Sequence, residues 1–76
     1  MGDVKVTTKL KKNMQVEAEA RGHKIMIDEP TDQGGDDTGM TPVELLLAGL
    51  GSCLSITTKI FSKPYDVELN GLVVEL

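Results

Sequence analysis

The side chains with the sharpest chemistry in this sequence each occur once: the thiol of Cys53, the imidazole of His23 and the guanidinium of Arg21. A thiol acts as nucleophile or redox group only as its thiolate, and a neighbouring cation or a helix N-terminus favours that form. Gly51, Ser52 and Ser55 flank Cys53 and leave room around the sulfur. Residue type alone favours a different reading, because free cysteine is among the most buried of residues. Cys53 falls about 12 residues into a helical pattern, roughly 18 Å from its start, so the helix end cannot activate it. A cation from elsewhere in the fold has to do so, and Arg21 is the single arginine available.

Glu44 is the carboxylate nearest to Cys53 in sequence on its N-terminal side. Nine positions along a helix set the two on opposite faces, about 13 Å apart along the axis. Glu44 therefore reads first as a helix-capping residue and only second as a catalytic carboxylate. His23 lies in strand context, where an exposed histidine is the ordinary outcome. No C-x-x-C or H-x-x-x-H spacing is present, so a zinc site is not expected. Asp28, Asp32, Asp36 and Asp37 lie in a glycine-bearing stretch, but the EF-hand order is absent and a solvated acidic loop is the better reading. Gly34-Gly35 lacks the P-loop pattern, and its acidic neighbours disfavour phosphate.

The elements that must position these groups follow from periodicity. Val4, Val6, Thr8 and Leu10 alternate with Lys5, Thr7, Lys9 and Lys11, which predicts a strand with one wet face. Lys12-Asn13 predicts a tight turn. Met14, Val16, Ala18 and Ala20 alternate with Gln15, Glu17 and Glu19 in a second strand, so that lysines and glutamates face each other across the pair. Arg21-Gly22 predicts the next turn, and His23–Asp28 a third strand with Ile25 and Ile27 on one face. Glu29–Met40, punctuated by Pro30, Gly34, Gly35 and Gly39, predicts a long loop of the kind that is more often functional than idle.

Thr41, Pro42 and Glu44 form a T-P-x-E start, a capping box with proline at the first helical position. The helix runs to about Ser62, where Lys63-Pro64 stops it, and only Glu44 and Lys59 interrupt its neutral composition. A helix apolar nearly all round has to be covered on most sides. Asp66–Leu76 predicts a fourth strand with a bulge at Asn70-Gly71. Three or four strands cannot cover such a helix. The expectation is therefore either the first half of a larger domain or two chains that complete each other.

With 76 residues, the chain holds one small domain at most. A net charge of −4 with eight basic residues offers no stripe for a phosphate backbone, so nucleic acid is not expected as a partner. One cysteine excludes an internal disulfide. No signal peptide is visible, and the longest strictly apolar run, Leu45–Leu50, is short of a membrane span. A soluble cytoplasmic protein with a reduced thiol and no membrane partner is the expectation.

The run Gly22-His23-Lys24-Ile25-Met26-Ile27-Asp28-Glu29-Pro30, the loop Gly34-Gly35-Asp36 to Gly39, and Thr41-Pro42-Val43-Glu44-Leu45-Leu46-Leu47-Ala48-Gly49-Leu50-Gly51-Ser52-Cys53 together resemble the OsmC/Ohr family, in its OsmC-like branch. The resemblance covers nearly the whole chain and corresponds to the N-terminal half of the family domain. It implies an α+β fold: an antiparallel β-meander, then one long buried helix and a further strand, forming half of an intertwined homodimer. It also implies thiol-dependent reduction of organic hydroperoxides, as in peroxiredoxin-like stress proteins. Cys53 then stands as the peroxidatic thiol, with an external thiol as reductant and no cofactor or metal. The family's second cysteine has no counterpart in this sequence. An ungapped count sets the family's carboxylate on Val43, one position before Glu44, and its arginine near Asn13 rather than at Arg21. Two readings stay open: an enzyme using Cys53, Arg21 and Glu44, or a non-enzymatic binding or assembly module in which Cys53 is buried and structural.

Overall fold

The computed structural model describes residues 3–65 and 71–76. The described chain divides into two compact units, Met1–Leu45 and Leu46–Leu76. The first holds an antiparallel meander of β1 (Thr7–Leu10), β2 (Val16–Ala20) and β3 (His23–Ile27), in the order β1-β2-β3. The predicted first two strands are present but shorter. Lys9 stands opposite Glu17 and Thr7 opposite Glu19, so the expected lysine–glutamate face exists. Lys24 on β3 also approaches Glu17, at 4.0 Å. Such exposed pairs contribute at most about 1 kcal/mol each.

The other face gathers Leu10, Val16, Ala18, Ala20, Ile25 and Ile27 by register. Ala18 and Ile27 are buried there, whereas Leu10 and Ile25 are exposed. Both turns obey the conformations their residues suggest. Asn13 adopts φ 55°, and Lys11 and Gln15 close the first turn through a backbone bond of 2.8 Å. Arg21 and Gly22 take φ 53° and 83°, the paired left-handed residues of a type I′ hairpin that matches strand twist.

After β3 the chain leaves the sheet through a 3₁₀ turn at Thr31–Gln33, closed by Gly34 at φ 93°. It returns to the end of β3, where Met40 bridges Ile27 in parallel and its carbonyl accepts from the Asp28 amide at 3.0 Å. Helix α1 then spans Pro42–Ser62, with the predicted bounds, and a 3₁₀ turn at Lys63–Tyr65 follows.

Two expectations are corrected here. The helix is not buried in the single chain: Val43, Leu46, Leu50, Ile56, Ile60 and Phe61 are all exposed, and no described residue of α1 is buried. The physical reason is the one its composition announced, since a three-stranded meander has no surface to spare for a helix apolar on every side. The second correction concerns the predicted fourth strand. Residues 66–70 lie outside the described residues, and 71–76 form no strand. Gly71 sits in a turn at φ 76°, and residues 72–76 have no strand pairing, the backbone partner a strand requires.

The 21 residues of α1 also make it long and apolar enough, by length and composition, to cross a membrane. The strictly apolar run is short, but the neutral Gly, Ser and Thr residues extend it to about 31 Å at 1.5 Å per residue. A core helix covered by protein has the same composition.

Candidate functional site

Helix α1 carries the thiol, and its start is fixed locally. The Glu44 amide donates to Thr41 Oγ1 at 3.1 Å, and the Thr41 amide donates to Glu44 Oε1 at 2.9 Å. This reciprocal box satisfies two of the amides that every helix start leaves unpaired. It also occupies the Glu44 carboxylate, as the capping reading expects. Thr41→Ala should lower stability by about 0.5–2 kcal/mol in a denaturant melt. Glu44→Gln should cost less, because glutamine closes the same box. If Glu44→Gln is the more damaging of the two, Glu44 does more than cap.

Farther along α1, Cys53 is exposed. In the single chain the thiol is therefore open to solvent. The hydroxyl of the neighbouring Ser52 donates back to the Ala48 carbonyl at 2.7 Å. Among the described residues, nothing lies within 4 Å of where a Cβ at Gly49 would stand. At Gly51 a Cβ would meet Leu76 Cδ1 at 3.6 Å and Val74 Cγ1 at 4.0 Å, ordinary contact distances. Arg21 is exposed on the β2–β3 hairpin. Arg21 and Glu44 belong to the first compact unit and Cys53 to the second. No group of three or more His, Cys, Asp or Glu side chains able to hold a metal occurs among the described residues.

The residue that sequence reasoning misplaced is Asp28. Within the acidic loop it is not solvated but buried, at 1 % exposure, and its carboxylate is fully engaged. Oδ1 accepts from the Glu29 amide at 2.7 Å. Oδ2 accepts from the Thr38 hydroxyl at 2.6 Å, the Thr38 amide at 3.1 Å and the Asp36 amide at 3.3 Å. The Thr38 hydroxyl is the main cause that holds the Asp28 carboxyl below its ordinary range; burial opposes it, and the three amides add to it. A carboxylate depressed in the folded state stabilises the fold above its unfolded value and loses that contribution as pH falls through the folded one. Residue type gave no signal for this role, since Asp32, Asp36 and Asp37 share the same glycine-bearing stretch.

The segment that contains the loop return, the capped helix start and Cys53 is also the segment that can be compared with known proteins. A family model described as OsmC-like protein matches residues 34–76, more than half of the chain. This chain belongs to the OsmC-like family. No curated protein and no solved structure is matched. The OsmC-like match thus begins at the Gly34-Gly35 return and takes in the Thr41–Glu44 box and the thiol.

Proposed function

We propose that this OsmC-like protein reduces hydroperoxides with Cys53 as the reacting thiol, and that it works as a homodimer. The observation that supports the chemistry is the exposed position of Cys53 on α1, inside the family-matched segment. In the proposed step the thiolate attacks the outer oxygen of an organic hydroperoxide. A sulfur–oxygen bond forms as the oxygen–oxygen bond breaks, and the departing alkoxide takes a proton and leaves as the alcohol. Sulfur is oxidised to the sulfenic acid. With one cysteine in the sequence, an external thiol condenses with it, water leaves, and a second external thiol restores Cys53 and departs as the external disulfide. Titration with an organic hydroperoxide, followed by intact mass, should show one added oxygen, and then a mixed disulfide once a small thiol is supplied. A folded protein whose Cys53 stays unmodified under excess hydroperoxide would favour the binding or assembly module instead.

The dimer is supported by the uncovered apolar surface of α1 and by its glycines. Gly49 and Gly51 each cost about 1 kcal/mol relative to Ala within a helix, and among the described residues nothing needs Gly49 to lack a side chain. A second copy packed closely at Gly49, one turn before Cys53, supplies the reason and sets the thiol at the edge of the interface. Unfolding should then depend on protein concentration. Gly49→Ala should weaken association, although in an isolated helix it would stabilise by about 1 kcal/mol. A monomer whose melting is independent of concentration, and which Gly49→Ala stabilises, would overturn the dimer and leave the thiol chemistry to be judged on its own test.

A further inference from the structure

We propose that residues 29–38 form a latched strap, whose returning limb opens from and closes onto its outgoing limb as one unit, with the Asp28 carboxylate as its latch. The tip is stiffened by its own backbone. The amides of Gln33 and Gly35 donate to the Pro30 carbonyl at 2.9 and 3.0 Å, and the Gly34 amide donates to the Thr31 carbonyl at 3.2 Å. Two kinds of bond close the strap's returning limb onto its outgoing limb. One is the Asp37 amide to the Glu29 carbonyl, at 3.0 Å. The others are the three donations from Asp36 and Thr38 to Asp28 Oδ2.

These closing bonds are not independent. Asp28 is buried, and a buried carboxylate left without donors costs far more than any one bond contributes, so its partners leave together or not at all. The strap's other side-chain tether differs. Asn13 Nδ2 donates to the Gly34 carbonyl at 2.8 Å and lies 3.5 Å from Asp36 Oδ2, but it is exposed, and water replaces those bonds when they break. The close seat of the strap also demands Gly35, where an added Cβ would run into the Glu29 carbonyl and lie 2.8 Å from Asp28 Oδ1. Beyond the strap, Met40 is pinned to Ile27 and Asp28 and hands the chain to the Thr41–Glu44 box. The latch therefore sits between the sheet and the start of the helix within one compact unit.

Amide hydrogen exchange on the full chain, read residue by residue by NMR, tests this. Asn at position 28 has one acceptor oxygen and an amide donor, so whichever way it turns a donor meets a donor. In Asp28→Asn the amides of Asp36, Asp37 and Thr38 should exchange faster together, by about tenfold or more, while β2 and β3 keep their protection. Asp37 is the deciding reporter, because its own partner is Glu29 and not Asp28. Thr38→Val removes the hydroxyl donor alone and should loosen the same three amides by less. Asn13→Ala should leave them almost unchanged. The proposal is overturned if Asp37 keeps its protection while Asp36 and Thr38 lose theirs. It is overturned equally if the sheet amides open along with the strap, or if Asn13→Ala opens it as far as Asp28→Asn does. Should Asp28→Asn fail to fold, Thr38→Val decides: an Asp37 amide that it leaves unmoved overturns the latch.

Discussion

Cys53→Ser should abolish hydroperoxide turnover and leave the fold intact. Serine is close in size, and the site is exposed, so the change removes a nucleophile and an oxidisable atom without opening a cavity. With no second thiol in the chain to take over, the expected loss is complete rather than partial. The measurement is consumption of an organic hydroperoxide in the presence of an external thiol, with circular dichroism to confirm folding. Turnover that survives in Cys53→Ser would end the proposal that this thiol is the reacting group. The companion variant is Arg21→Asn. Arg21 holds a left-handed φ of 53°, a conformation asparagine adopts at lower cost, so this variant should fold at least as well as the parent. If Arg21 serves the thiolate, Arg21→Asn slows oxidation of Cys53 by the hydroperoxide. An unchanged rate removes Arg21 from the site and leaves Cys53 in place.

Gly39→Ala should be among the most destabilising single changes outside the thiol. A Cβ built at Gly39 would strike the Met26 carbonyl oxygen and lie 2.8 Å from its carbon. Both are backbone atoms of β3, so no rotamer change relieves the contact; either the sheet edge or the segment entering α1 has to move. A cost of about 3 kcal/mol or more follows, a large share of the stability of so small a domain. Urea melts of Gly39→Ala beside Gly22→Ala separate the mechanisms. Gly22 has open space around it, and its substitution carries only the cost of a left-handed φ. A Gly39→Ala protein as stable as its parent would show that the segment entering the helix does not seat against β3.

The local parts of the fold were legible because each rests on neighbours in sequence. Alternation predicted the three strands, and the two left-handed turns at Asn13 and Arg21-Gly22 sit where their residues pointed. Thr41, Pro42 and Glu44 fixed the helix start to the residue, because a capping box is closed by groups three positions apart. The family was legible for the same reason, as a run of residues around that helix start and Cys53.

Asp28 was not legible. Four acidic residues in a glycine-rich stretch look alike in one dimension, and solvation is the cheapest fate for each. Only the return of the chain over ten residues brings the Thr38 hydroxyl and two amides onto one of these carboxylates and makes its burial affordable. The fate of the last predicted strand was equally non-local, since a strand exists only where another backbone offers donors and acceptors, and residues 71–76 have no such pairing. The sequence by itself determined which segments turn, alternate and wind, and that the long helix carries more apolar surface than three strands can cover. Tertiary structure alone decided which carboxylate goes inside and that the single thiol stays outside in this chain. Burial of a charged group depends on donors gathered from distant positions, and exposure of a thiol depends on what is left over to pack against it.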